Sequence, residues 1–266
     1  MKRAALFFDI DGTLTNYKTH EIIQDGIEAI REARAEGHLA FINTGRVRYI
    51  LQPEIEALPM DGFILGCGTG FLYKDGRFRH TPVSDELCIE TTKRLFDCNI
   101  AGLLEGSNGL WYVNCDRIPL AKLYADKYYA NFHFHEFSDD IHKIVLYDKF
   151  CVITGEHSEE DTFFSWAKEY YDIIPRFPNF YELVPLPYSK ATGIQEIQRE
   201  FDIDLDHVYI FGDSTNDLPM FQYATHTICM GGHDEELEEY TEYMAPLVQE
   251  NGIRRALEHY GLIPKK

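Results

Sequence analysis

Ala4-Ala5-Leu6-Phe7-Phe8-Asp9-Ile10-Asp11-Gly12-Thr13 is an apolar run that stops abruptly at two carboxylates and a glycine. A continuous apolar run suits a strand buried on both faces, and such strands belong to parallel sheets. The stop carries its own information, because open α/β sheets bind ligands beyond the carboxyl ends of their strands. Carboxylates at i and i+2 of extended chain point the same way. Like charges that close are unfavourable without a cation or a shared proton, and a hard divalent ion such as Mg²⁺ is a natural partner for carboxylate oxygens. Gly12 lets the backbone turn its N–H groups toward an anion. Taken alone, Asp-x-Asp-Gly is equally an ordinary strand-end turn.

Outward from this stretch the pattern alternates. Ile23, Ile27 and Ile30 recur at helical spacing within Glu21–Glu36, and Gly37 ends that helix. Leu39–Asn43 and Gly62–Leu65 are further short apolar runs, and Val47–Ala57 reads as a helix bent or broken at Pro53. Strand–helix–strand alternation predicts an α/β, Rossmann-like parallel sheet with right-handed crossovers. Phe71–Tyr73 and Arg77–His80 flank Lys74-Asp75-Gly76 as a hairpin.

The rhythm then changes. Residues 84–184 mix the predicted helices Ser84–Asp97, Pro119–Tyr129 and Ser158–Tyr170 with the strands Leu110–Asn114, Lys143–Leu146 and Cys151–Thr154. The α/β alternation resumes with a helix at Lys190–Phe201, a strand at Val208–Phe211, a helix at Asn216–Tyr223, a strand at Thr227–Met230 and a closing helix at Asn251–Tyr260. A core formed by residues 1–83 and 185–266, interrupted by an inserted α+β cap domain at 84–184, explains both changes.

Three more stretches stand at strand ends or helix starts. Thr44-Gly45-Arg46 offers a hydroxyl, a small residue and a guanidinium, which suits phosphate and equally suits a helix cap beside a surface Arg. Lys190 opens a predicted helix, where the helix dipole disfavours a cation unless an anion is near; taken alone it also reads as a solvated surface lysine. Gly212-Asp213-Ser214-Thr215-Asn216-Asp217 adds two carboxylates and an amide after Val208–Phe211.

The chain has 266 residues, 45% of them hydrophobic, and a formal net charge of -19. That charge argues against nucleic acid and anionic membrane as partners, since both need clustered Lys and Arg. No stretch approaches the roughly 20 apolar residues of a membrane span. Asp9 and Asp11 cut the N-terminal run too short for a signal peptide, so a cytoplasmic location is expected. The six cysteines form no Cys-x-x-Cys pair and read as buried free thiols. His133-Phe134-His135-Glu136 lacks a second ligand set and reads as structural, and Asp234–Glu239 reads as a solvated helix face.

Asp9-Ile10-Asp11-Gly12-Thr13, Thr44, Lys190 and Gly212–Asp217 resemble, in order and spacing, the four motifs of the haloacid dehalogenase superfamily. The length between Thr44 and Lys190, and Ser189-Lys190-Ala191-Thr192-Gly193-Ile194 itself, are similar to the Cof-type sugar-phosphate phosphatases. At Gly66-Cys67-Gly68-Thr69-Gly70 the chain departs from that branch, many of whose members carry Asn-Gly there. The resemblance implies a phosphoric monoester hydrolase acting on a phosphorylated small molecule, with Asp9 as nucleophile through an aspartyl-phosphate. Asp11 would be the general acid–base. Mg²⁺ would be held by Asp9, the backbone carbonyl of Asp11, and Asp213. Thr44, Gly45, Lys190 and Asn216 would bind the phosphoryl oxygens, with Asp217 orienting Lys190 or a metal-bound water. The cap would close over the site. A phosphomutase on the same fold, a dehalogenase, and a non-enzymatic phospho-accepting or metabolite-binding protein are the alternatives. Asp11 counts against the dehalogenase, because that chemistry needs no acid two residues after its nucleophile.

Overall fold

The computed structural model describes residues 2–136 and 145–266. In chain order the elements are β1 Ala5–Phe8, α1 Gln24–Ala35, β2 Leu39–Asn43, α2 Pro53–Glu56, β3 Gly62–Leu65, β4 Gly70–Tyr73, β5 Phe78–His80 and α3 Asp85–Asp97. Next come β6 Ala101–Gly106, β7 Gly109–Val113, α4 Pro119–Tyr128, β8 Phe134–Glu136, β9 Lys149–Ile153, α5 Glu160–Ala167, β10 Tyr171–Phe177 and β11 Phe180–Pro185. The remainder is α6 Lys190–Phe201, β12 Val208–Gly212, α7 Leu218–Tyr223, β13 His226–Cys229, β14 Tyr243–Met244 and α8 Gly252–His259. The chain divides into two compact units. One comprises Met1–Gly45, Gln52–Arg79 and Tyr188–Lys266; the other comprises Arg46–Leu51 and His80–Pro187.

The first unit holds an eight-stranded sheet in the order β14-β13-β12-β1-β2-β3-β4-β5. The pairings from β14 to β3 are all parallel, and β4 turns back antiparallel to β3. This is the Rossmann-like sheet the alternation predicts. β1 lies inside it and is buried at every residue. Ala5 and Phe7 pack with Phe41, Ile64, Ile194, Ile197, Met220 and Phe221, so α6 and α7 cover that face. Leu6 and Phe8 are equally buried and point to the other face, as the two-residue period of a strand requires. Full burial of a Phe such as Phe7 or Phe41 stabilises by about 1.5–3 kcal/mol, which is why the apolar run ends up inside the sheet.

The second unit holds a six-stranded sheet in the order β10-β11-β9-β6-β7-β8. It is antiparallel except for the parallel pair β7–β8. One apolar cluster joins it to α3 and α5 through Leu95, Phe150 and Phe163, and another joins it to α4 through Leu103, Ala121 and Ala125. Val47 and Ile50 belong to the second cluster.

Several elements differ from the sequence expectation. Of the bend or break expected at Pro53 in Val47–Ala57, the structure has the break: a 3-10 turn at Arg48–Ile50 precedes α2, and Pro53 starts α2 as its first residue, the position where a missing N–H is harmless. The strand expected at Lys143–Leu146 falls partly outside the described residues, and Val145 and Leu146 are not in a strand. β6, β10 and β11 are strands that the sequence expectation does not name. β6 contains two glycines and a glutamate, poor strand formers. β10 contains Pro175 at an irregularity of register, which its place at the sheet edge tolerates. All six cysteines are free. No helix among the described residues is long and apolar enough to cross a membrane.

Candidate active site

Strand register assembles the site. Phe8 pairs with Ile42 on one side and with Phe211 on the other. One residue further, Asp9 stands level with Asn43 and Gly212, and Thr44 and Asp213 follow immediately. The three stretches read from sequence therefore meet at the carboxyl ends of β1, β2 and β12.

Lys190 comes from the helix side. Ser189 caps α6, accepting from the Thr192 N–H while the Thr192 hydroxyl accepts from the Ser189 N–H. The Asn43 side-chain amide donates to the Lys190 carbonyl at 3.0 Å. These contacts aim the Lys190 ammonium inward, where it donates to Asp9 Oδ1 at 2.6 Å and to Asp217 Oδ1 at 2.5 Å. Lys190 is 1% exposed and Asp217 is fully buried. Burial alone would lower the Lys190 pKa; the carboxylates of Asp217 and Asp9 outweigh it and hold it above the ordinary lysine range.

Asp217 Oδ2 accepts from the backbone N–H groups of Asp213 and Ser214 at 3.0 and 3.2 Å. Both its oxygens are thus committed, one to the loop and one to Lys190. Asp213 accepts from the Thr13 hydroxyl at 3.0 Å through Oδ1. Gly12 has φ +84, and a Cβ there would enter the Asp213 carboxylate, so the turn needs glycine on both counts. Asp9 and Asp213 each keep one carboxylate oxygen with no hydrogen bond among the described residues.

Asp9, Asp213 and Asp217 each offer an oxygen within 4.8 Å of the others, and all three are buried. One ammonium faces three carboxylates. Burial first, then the charges of Asp9 and Asp217, drives the Asp213 carboxyl well above the ordinary carboxylate range. Burial likewise raises Asp9 to about 6, against the pull of Lys190 and with the help of Asp217 and Asp11. The donor set has a surplus of negative charge and two open oxygens, which fits a hard divalent cation.

The Asp11 side chain is not in this trio. It is 45% exposed, with His20 Nδ1 3.8 Å from its Oδ1. Two residues apart in sequence, Asp9 and Asp11 part company because the chain turns at Ile10, whose carbonyl accepts from the N–H groups of Thr13, Leu14 and Thr15. Thr44 is 2% exposed and its carbonyl accepts from Cys67 N–H at 3.0 Å. Gly45 N–H makes no hydrogen bond among the described residues. Asn216 is half-buried, its side-chain amide oxygen accepting from the Ser214 hydroxyl at 2.9 Å. In the acidic run Asp234 accepts from Thr215 N–H at 2.8 Å and Glu238 lies 3.2 Å from His233 Nε2, while Glu235, Glu236, Glu238 and Glu239 are exposed. Asn43 and His20 escape the sequence reading, and Thr13, read as part of the first motif, has its hold on Asp213 only in the fold. A polar residue closing the apolar run Leu39–Ile42 signals Asn43; nothing local signals His20.

The sequence model of the haloacid dehalogenase-like hydrolases matches residues 6–257. YkrA of Bacillus subtilis (strain 168) is 24% identical over 99% of this chain and all of its own length. Among solved structures, the subclass IIB sugar phosphatase BT4131 is 25% identical, with a TM-score of 0.81 over 98% of this chain and 100% of its own. BT1666 from Bacteroides thetaiotaomicron, one of the phosphatases of that superfamily, is 24% identical, with a TM-score of 0.85 over 98% of this chain and 96% of its own.

Proposed function

The chain belongs to the haloacid dehalogenase-like hydrolases, and on that premise we propose that it hydrolyses phosphate monoesters of small metabolites, sugar phosphates foremost, with Asp9 as nucleophile. One observation carries this reading. Lys190 is buried between Asp9 and Asp217 with Asp213 beside them, although Asp9 and Lys190 are 181 residues apart in sequence. Burying that much like charge is unfavourable; a site that receives a cation and an anionic phosphoryl group has a use for it.

The free oxygen of Asp9 attacks phosphorus while the other stays on Lys190, so the nucleophile is held in one orientation. The ester oxygen departs with a proton from Asp11, and the Asp9–phosphorus bond forms as the phosphorus–oxygen bond breaks. Asp11 then takes a proton from water, which cleaves the aspartyl-phosphate and regenerates Asp9. The partial exposure of Asp11 supports this division of labour, since it must reach both the departing alcohol and water. The third N–H of Lys190, the Thr44 hydroxyl, the Gly45 N–H and the Asn216 amide serve the phosphoryl oxygens; positioning and charge stabilisation of this kind dominate phosphoryl transfer. Asp213, the Asp11 carbonyl and the Asp9 oxygen that does not attack, which it would share with Lys190, would hold Mg²⁺, which when bound would neutralise charge between carboxylate and phosphate. Asp217, with both oxygens committed, is assigned to Lys190 rather than to the ion.

The test is phosphate release from an aryl phosphate with Mg²⁺. Asp9→Asn should abolish it; near wild-type turnover would end the nucleophile assignment. Asp11→Asn should lose about 10²–10⁴-fold, and less on an aryl than on an alkyl ester, because an aryl oxide leaves with less help from a proton.

A further inference from the structure

Asn16–Glu21 is a tight turn that follows the Asp9–Thr13 stretch. Asn16 N–H donates to the Glu21 carbonyl at 2.9 Å and His20 N–H to the Asn16 carbonyl at 2.8 Å. The Asn16 side-chain oxygen accepts from Lys18 N–H and Thr19 N–H at 2.8 and 3.2 Å. An antiparallel bridge between Thr15 and Ile22 closes its base. The tip is thus a built element, and it forces His20 to φ 57, a conformation that disfavours a residue with a Cβ.

Stability does not explain that choice. The His20 side chain is 71% exposed, so its ring gains little from burial, and its approach to Asp11 at 3.8 Å is an exposed pair, a kind that contributes little. Glycine would occupy the same backbone without strain. The conformation instead leaves an exposed imidazole 3.8 Å from the Asp11 carboxylate. Tyr17, in the same turn, is 71% exposed, the most exposed large hydrophobic residue described.

We infer that His20 is a specificity-determining residue that contacts the leaving alcohol of the substrate. The inference rests on the reading of Asp11 as the group that protonates the leaving oxygen. The departing oxygen must lie within hydrogen-bond reach of Asp11, so the carbons and hydroxyls attached to it fall against the neighbouring imidazole. An imidazole offers a ring face and an N–H or a lone pair, which suits a hydroxylated, ring-bearing alcohol and gives nothing to a two-carbon leaving group.

The experiment compares wild type, His20→Ala and His20→Gly on three substrates: a hexose 6-phosphate, p-nitrophenyl phosphate and acetyl phosphate. Acetate needs no proton to leave and reaches no further than two carbons. Both variants should lose about tenfold in kcat/KM on the hexose phosphate, mainly through KM, the size of one hydrogen bond. Acetyl phosphate should stay within about twofold, because only binding to the larger alcohol is removed. His20→Gly should melt no lower than wild type, which separates lost contact from lost fold. Unchanged kcat/KM on the hexose phosphate in His20→Gly, or an equal loss on all three substrates, would overturn the inference alone. Absence of phosphate release by wild type from all three would overturn the phosphatase reading, and this one with it.

Discussion

Each compact unit buries a lysine between two carboxylates. Lys190 lies 2.6 Å from Asp9 and 2.5 Å from Asp217; Lys149 lies 3.0 Å from Glu105 and 2.9 Å from Glu182. By distance and burial the two trios are near twins, but their settings differ. Glu105, Lys149 and Glu182 sit inside the neighbouring strands β6, β9 and β11, with Glu105 and Lys149 directly paired. Tyr129 donates to the same Glu105 oxygen at 2.8 Å that the lysine holds. Asp9 and Asp217 instead stand past strand ends, and a third carboxylate, Asp213, joins them. The contrast teaches that a buried lysine between carboxylates is not in itself a sign of chemistry. A ladder can lock such a trio in place as packing. Surplus charge beyond the carboxyl ends of parallel strands is what marks a place for ligands.

The contrast makes predictions, the largest of which concerns turnover. Asp9→Asn should reduce phosphate release on the order of 10³-fold or more, whereas Glu105→Gln should leave acetyl phosphate turnover unchanged per mole of folded protein. A matching fall in Glu105→Gln would erase the distinction. Next, Lys190→Met and Lys149→Met should both destabilise, since each strands buried carboxylates, by about 3–5 kcal/mol or roughly 10 °C in Tm. Only Lys190→Met should also lose turnover, roughly 10²–10³-fold, read after correcting for the folded fraction by circular dichroism.

Mg²⁺ sharpens the comparison further. At about 100 times its Kd it should stabilise the wild type by ~2.7 kcal/mol, roughly 5–10 °C by calorimetry. Asp213→Asn should lose most of that gain and Glu182→Gln should keep it. The smallest effect is on pH. In metal-free protein Asp9 is raised from 3.8 to about 6, chiefly by burial. Its folded form binds the proton more tightly than its unfolded form, so the stability it contributes is full below pH 4 and is lost as pH rises through 6. The wild type minus Asp9→Asn difference in unfolding free energy should therefore fall between pH 4 and 6. A difference that rises with pH would show that Lys190, not burial, dominates at Asp9.

Much of this was legible in the chain. Ala4–Phe8, Leu39–Asn43, Gly62–Leu65 and Val208–Phe211 announce a parallel sheet because burial on both faces demands an unbroken apolar run. The residues at their ends are legible for the same reason, since the point where polarity returns is the point where the strand emerges. Other features depend on partners far away in sequence. Only the family resemblance ties Asp217 to Lys190, and no neighbouring residue shows which oxygen does so; nothing near Asp11 shows that its side chain leaves Asp9 behind. The strand β6 hides behind two glycines and a buried glutamate whose lysine is 44 residues away.

By itself, then, the sequence determined the sheet, its strand ends and the family, because burial on two faces and short motifs are properties of neighbouring residues. Only the tertiary structure decided which carboxylates share a lysine, which oxygens stay open, and where His20 stands. Those depend on strand register and on turns that bring together groups 181 and 200 residues apart, and a hydrogen bond forms or fails over a few tenths of an ångström that no local pattern encodes.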